Sequence, residues 1–562
     1  MHMPRISEER LQQQWWASGD TPVRTDSRVA YLVDGRTAML MMCLHFMKAS
    51  KYIYLANWGI TPGMELVRGS DRAAGPDGSP EQQALLEHLR EEGLSEADIA
   101  FWRTHPLSVQ AVLGYAVSKG VEVKVLLWAS PELFSHYDPQ AARDQLTKAG
   151  VTCLLDDSSH GILHHPAESL HQKISVVDGT HAFVGGVDPL IEKGGEFDRW
   201  DTPKHFFSSL LRRTHDGHSP HPWHDAHSLI EGPAAGDVEL NFRQRWNDLA
   251  QRRELKADLV VPEHPLASPL PSPSIVQVAR TIPQHTYNFT PQGGIQGIAQ
   301  LYANALHNIE RFVYLENQYL WLRAFTGLDI ALAGFDSPDM ELNLRELSTA
   351  LKKGASMAII LPDHPNVGRA FTDAALMRLR TEAPQAVAEG RFHAFTLATC
   401  TEENGKQHHR PIYVHAKVGI VDDIWTTVGS ANLNNRGMRD DAEMNVATLD
   451  PNLAHGLRLM LQGEHLDLIA EYDLFAVSRL LGQQRQSARE RDQALRIQAM
   501  LEDKLGDPIV AMRLMQERAW ENFQRYKNNQ PLIGHLLPYL TGEEAQKQGL
   551  NFREEHGWIE EP

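Results

Sequence analysis

Cysteine is scarce, with three in 562 residues: Cys43, Cys153 and Cys400, far apart and without a C-x-x-C pair. So sparse and odd a set argues against a disulfide framework and against a cysteine-built zinc site. Long apolar runs are also missing. The most apolar early stretch, residues 37–47, is too short to span a bilayer and is flanked by Arg36 and Lys48. Positive charge is in deficit, because 54 Lys and Arg stand against 72 Asp and Glu, a formal net charge of −18. That balance argues against broad non-specific affinity for nucleic acid, although a locally basic cleft stays open. The first residues, Met1-His2-Met3-Pro4-Arg5 leading into Glu8-Glu9-Arg10, do not read as a signal peptide. Synthesis in the cytoplasm is the expectation, with export by a signal-independent route left open. The 42% hydrophobic content is that of an ordinary globular protein. The length allows two to four domains or one large duplicated unit.

What is present is a repeat. His171-Gln172-Lys173-Ile174-Ser175-Val176-Val177-Asp178 and His415-Ala416-Lys417-Val418-Gly419-Ile420-Val421-Asp422 are both H-x-K-x-x-x-x-D. The residues between Lys and Asp read as a buried strand, and alternation places His and Lys on one face, within reach of one bound group. Seventeen positions after each His stand the ends of matching glycine turns, Gly185-Gly186-Val187-Asp188 and Gly429-Ser430-Ala431-Asn432. One H-x-K alone is usually a solvated strand edge. Two copies with the same turn point to two half-sites.

A phosphodiester resists water because its anionic oxygens repel a nucleophile and its alkoxide leaves poorly. A site must supply a nucleophile, positive charge around phosphate and a proton for the leaving oxygen. Two facing histidines do this without metal: one attacks phosphorus to give a phosphohistidine, and the other donates a proton and then activates water. Lys173 and Lys417 read as charges on the non-bridging oxygens, joined by Asn432.

These motifs resemble the phospholipase D superfamily, in the branch that includes the eukaryotic phosphatidylcholine-hydrolysing enzymes. Further marks of the branch are Arg199-Trp200-Asp201-Thr202, Pro222-Trp223-His224-Asp225 and Glu316-Asn317-Gln318-Tyr319, so the resemblance covers roughly residues 28–450. It implies a duplicated α/β fold of two mixed-sheet lobes related by a pseudo-twofold axis, with both half-sites in one cleft. It implies His171 as nucleophile and His415 as general acid. Each imidazole needs an acidic partner, for which Asp201 and Glu443 are the candidates. Asp178 and Asp422 belong to the motifs and are read as binding backbone groups in the turns. Ser430, Asn317 and Gln318 are expected to orient the site. Asp188 stands where the other half has Asn432; a carboxylate beside phosphate must be neutral, turned away or bonded to a cation.

The expected boundaries are an arm over 1–27, a first lobe over 28–256, a proline-rich connection over 257–284, a second lobe over 285–450 and a helical extension over 451–562. Five prolines fall in residues 261–273, which reads as an extended linker. The histidine-rich segment 205–227 matches no standard zinc spacing and reads as a loop over the cleft, with His224 the best candidate for contact. No cofactor and no metal are expected.

The resemblance implies hydrolysis of phosphatidylcholine or phosphatidylethanolamine at a membrane surface, giving phosphatidic acid and a head-group alcohol. It is similar also to type VI secretion effectors, which implies an immunity protein and a secretion-system spike as partners. The competing readings are a nuclease or a phospholipid synthase of the same superfamily, and a catalytically dead scaffold.

Overall fold

The computed structural model describes residues 6–559 apart from 131–136, 160–167, 194, 214–218, 325–334 and 555. Residues 1–5 of the arm and 214–218 of the histidine-rich segment therefore lie outside the described residues.

The first lobe contains β1 (Arg28–Val33), β2 (Tyr52–Asn57), β3 (Glu122–Trp128), β4 (Thr152–Asp156), β5 (Ile174–Val177), β6 (His181–Gly185), β7 (Trp223–His224) and β8 (Ala226–Glu231). Seven of these form a sheet in the order β1-β8-β6-β5-β2-β3-β4. The strands β2, β3 and β4 run parallel, whereas β5 is antiparallel to β2 and β6. The second lobe contains β9 (Ile275–Ile282), β10 (Ile295–Gln296), β11 (Phe312–Glu316), β12 (Ser356–Ile360), β13 (Phe392–Glu403), β14 (Lys406–Pro411), β15 (Tyr413–Val414), β16 (Val418–Val421), β17 (Trp425–Gly429), β18 (Glu443–Leu449) and the late strand β19 (Leu536–Pro538). Its sheet runs β10-β9-β18-β17-β16-β11-β12-β13-β14. From β9 to β13 the order matches that of the first lobe from β1 to β4. The senses match too, with β11, β12 and β13 parallel and β16 antiparallel to β11. The fold is a duplicated α/β unit.

Residue chemistry explains these elements. In β2 every residue of Tyr-Ile-Tyr-Leu-Ala-Asn is buried, as expected where helices cover both faces of a parallel pair. The helix Asp34–Lys48 is buried all round except at its last residue, so it serves as a core helix rather than an amphipathic surface one. One hydrophobic cluster draws on both sheets, with Tyr54, Val176 and Phe242 from the first lobe and Tyr314, Val418 and Ile420 from the second. Leu453, Leu457 and Leu461 of the helix Pro451–His465 join it. The seam between the lobes is therefore core, not surface.

Two expectations change. The connection is shorter than 257–284, because Ile275–Ile282 is β9, the counterpart of β1. Its polar residues face inward with partners, Gln277 bonding Ala17 and Thr21 and Arg280 bonding Asp20, so no polar–apolar alternation marks it. The extension is mostly helical, but β19 pairs antiparallel with β13. The arm docks on the second lobe: Trp15 is fully buried against Trp425, and Arg10 Nη2 donates to Asp422 at 2.7 Å.

Candidate active site

Each motif histidine stands just before its strand, β5 or β16, where the two lobes meet. The rings of His171 and His415 face each other with centroids 6.3 Å apart and planes 67° apart. Backbone bridges across the seam fix both: His171 N donates to Ala442 O (2.9 Å), and His415 N donates to His224 O (2.8 Å). The carboxylates cross as well. Glu443, at the start of β18 in the second lobe, lies 3.0 Å from His171 Nδ1 of the first. Asp225, immediately before β8 in the first lobe, lies 2.7 Å from His415 Nδ1 of the second. Each half-site is completed by the other half. With Nδ1 engaged, Nε2 of each ring is left for chemistry.

The lysines lie beneath. Lys173 Nζ donates to His171 O at 2.7 Å and pairs with Asp188 Oδ2 at 3.3 Å, while Asn57 Nδ2 donates to Asp188 Oδ1. Asp188 is thus bonded to a cation and an amide rather than left bare beside the cleft. In the other half Lys417 donates to His415 O and to Gln318 Oε1, which also accepts from Asn432 Nδ2 at 3.2 Å. Ser430 Oγ donates to Glu443 Oε2. Position for position Trp58 matches Gln318, and it stands edge-on to His171 with ring centroids 6.3 Å apart.

Burial sets the charge states. It holds both imidazoles well below their ordinary range, with Lys173 and Lys417 adding repulsion at His171, and Lys417 and Arg199 at His415. Burial pulls Lys417 down to about 7, against the attraction of Asp225. Glu443 is pushed well up by burial and by the Asp441 carboxylate. The resting cleft is a pair of neutral histidines, each oriented by an acid, over two lysines.

His171, Lys173, Asp188, His415, Lys417, Asn432, Gln318, Ser430 and Glu443 are gathered at this seam. Asp178 and Asp422 are not: each lies beyond the far end of its motif strand and accepts from backbone N–H groups. Asp178 takes Lys51 and Tyr52, and Asp422 takes Glu310, Arg311 and Phe312. Asn317 stands behind the cleft and holds the turn after Asn432 through Leu433 N. Two candidates move. Asp201 bonds His205 Nδ1 (3.0 Å) and Arg212 Nη1, not a cleft histidine. The His224 side chain is fully buried between Asp34, Glu464 and Glu316, and only its backbone oxygen meets the cleft, at His415 N. The acid missed from sequence is Asp225, its neighbour, whose partner lies 190 positions away.

Fold and site together define a duplicated α/β protein with crossed histidine–carboxylate pairs and two lysines at its seam. Family models described as "Phospholipase D" and "Cardiolipin synthase, PLD-like domain" match residues 97–323 and 323–462. Phospholipase D alpha 1 of Zea mays is 26% identical, over 88% of this chain and 68% of the relative. Phospholipase D alpha 2 of Oryza sativa subsp. japonica is 25% identical, over 87% and 68%. Among solved structures, the phosphatidylserine synthase of Haemophilus influenzae Rd KW20 is 14% identical with a TM-score of 0.44, covering 89% of this chain and 94% of that one. The phospholipase D family member Nuc of Salmonella typhimurium is 18% identical with a TM-score of 0.22, over 34% and 93%. This chain belongs to the phospholipase D superfamily and is a hydrolase of that class. Among the described residues no helix is long and apolar enough to cross a membrane.

Proposed function

We propose that the chain cleaves the distal phosphodiester of glycerophospholipids, phosphatidylcholine or phosphatidylethanolamine, to phosphatidic acid and a free head-group alcohol. The crossed histidine–carboxylate pairs carry this reading. Glu443 holds the proton on His171 Nδ1, so Nε2 presents a lone pair to phosphorus. The phosphodiester anion, seated between Lys173 and Lys417, offsets the burial and cation repulsion that hold His415 neutral, and His415 takes up a proton from solvent. As the nitrogen of His171 bonds phosphorus, the bond to the head-group oxygen breaks. The oxygen leaves with the electron pair and accepts the proton of His415 Nε2. Water then gives a proton to His415 while its oxygen attacks phosphorus, and the P–N bond returns its pair to His171. His171 suits the nucleophile's part because its side chain is 15% exposed, against 5% for His415.

Head-group release from phosphatidylcholine and phosphatidylethanolamine vesicles is expected from the wild type and from neither His171→Ala nor His415→Ala. With 1-butanol present, the covalent intermediate yields phosphatidylbutanol as well. Cleavage of DNA or RNA with no release from either lipid would overturn the lipid reading. The finer reading, an effector delivered into neighbouring cells, rests on the resemblance alone. Purification from the producing cell with an immunity protein and a spike bound is its expected result, and purification of the chain without either counts against it.

A further inference from the structure

Behind the seam lies a second cluster that the phosphodiester chemistry does not use. Asp34, His205, His224 and Glu464 are fully buried, and one donor atom from each lies within 4.8 Å of the others. Glu464 Oε1 is 2.8 Å from His224 Nδ1 and 2.9 Å from His205 Nε2. Asp34 Oδ1 is 3.1 Å from His224 Nδ1, and Asp34 Oδ2 is 3.8 Å from His205 Nε2. A tetrahedral ion with nitrogen and oxygen donors at about 2.1 Å has edges of about 3.4 Å, and these four separations bracket that length.

The surroundings point the same way. Each imidazole gives one nitrogen to the cluster and the other to an outer carboxylate. His205 Nδ1 meets Asp201 Oδ2 at 3.0 Å, and His224 Nε2 meets Glu316 Oε2 at 2.7 Å. Those carboxylates are held in turn, Asp201 by Arg212 and Glu316 by the Tyr314 hydroxyl and His465 Nε2. Carboxylates behind histidines fix the tautomer and ring direction that a metal needs. A ring of imidazolium–carboxylate hydrogen bonds could also fill this space, but it leaves something over. Asp34 Oδ2 and Glu464 Oε2 are buried and have no hydrogen-bond partner among the described residues. Buried carboxylates left short of partners are costly, and a cation held by Asp34 and by Glu464 Oε1, the oxygen that faces both imidazoles, lowers that cost.

We propose that Asp34, His205, His224 and Glu464 form a structural Zn²⁺ site. Two neutral imidazoles and two carboxylates around a divalent ion make a neutral, closed N₂O₂ shell, which suits zinc and leaves no open position for substrate. The ion ties the first lobe, through Asp34, His205 and His224, to the helix Pro451–His465 that carries Glu464. It also sets the ground under His415. His224 precedes Asp225 in the chain, and Asp34 N donates to Asp225 O at 2.9 Å. Because the donors are buried, the ion enters as the chain folds, so the cobalt form is made by unfolding the protein in chelator and refolding it with Co²⁺.

The test reads metal, not turnover, so its outcome is independent of the lipid reading. Wild-type protein from zinc-supplemented cells, desalted and analysed by inductively coupled plasma mass spectrometry, is expected to hold one zinc per chain. His171→Ala is expected to keep that zinc, and His205→Gln to lose it about tenfold at equal protein concentration. Wild type refolded from chelator with Co²⁺ is expected to show the intense visible absorption of a tetrahedral ion. Wild-type crystals measured on either side of the zinc absorption edge cover the case in which His205→Gln does not fold. An anomalous peak between the four side chains supports the site. A folded wild type with neither zinc nor a cobalt band, zinc retained equally by His205→Gln, or an anomalous peak elsewhere would overturn it.

Discussion

Asp225 is the residue on which His415 depends. Replacing it with Asn keeps the shape but offers an amide where the imidazole needs an acceptor, which favours the wrong tautomer. We expect Asp225→Asn to lower kcat by roughly 10³–10⁴-fold in head-group release, with circular dichroism unchanged. Lys417 supplies the pH dependence. Its ammonium is held down to about 7, so it is charged below that pH and loses its charge above it. The rate kcat/KM should therefore fall as pH rises through about 7, and Lys417→Arg should move that alkaline limb upward because guanidinium stays charged. A limb that stays in place would remove Lys417 as its source. The histidines and lysines could be read directly from the sequence because they repeat with the same local spacing. Asp225 could not, because its pairing joins positions 190 apart and leaves no local pattern. Asp201 and His224 misled for the opposite reason: acid and imidazole in a family-like stretch are equally what a buried polar cluster requires.

Among the elements, the hairpins β5–β6 and β16–β17 each end in a turn whose second residue is shaped by the acid beside it. A Cβ on Gly186 would sit 1.9 Å from Asp225 Oδ1, whereas the equivalent Ser430 uses its hydroxyl to bond Glu443. Gly186→Ser should displace Asp225 and reduce turnover by at least about 10²-fold without touching either histidine, checked by steady-state kinetics on a protein of unchanged secondary structure. Full activity in that variant would mean that Asp225 can be held from another direction. The motif strands were legible as apolar runs between fixed charges. The strand β9 was hidden, since it follows the prolines and buries Gln277 and Arg280 in hydrogen bonds, which erases the alternation on which strand reading relies.

For the whole molecule, the seam is the structure's centre. The duplication of the lobes could be foreseen from the repeat, but the exchange of acids between lobes and the shared core could not, because both are contacts between distant segments. Residues 1–256 expressed alone keep His171 but lack Glu443, Lys417 and His415. They should show no head-group release and should expose the shared apolar face, seen as dye binding and aggregation. Stability carries its own pH signature. Burial lowers His393 to about 4. Between that value and 6.5 the unfolded chain binds more protons there than the folded one, so stability is full above about 6.5 and declines as pH falls toward 4. His393→Gln should flatten the fall of Tm across that window by up to one proton, about 1.4 kcal/mol per pH unit. An unchanged slope would show that His393 is solvated. The crossed halves have one more consequence. A strictly symmetric pocket cannot distinguish the two arms of a diester, and would cut at either with equal frequency. Joining the halves in a single chain released them from identity, so Trp58 stands where the other half has Gln318, Gly186 where it has Ser430 and Asp188 where it has Asn432. Those mismatches give the cleft a head and a tail, and with them a fixed direction in which its substrate can lie.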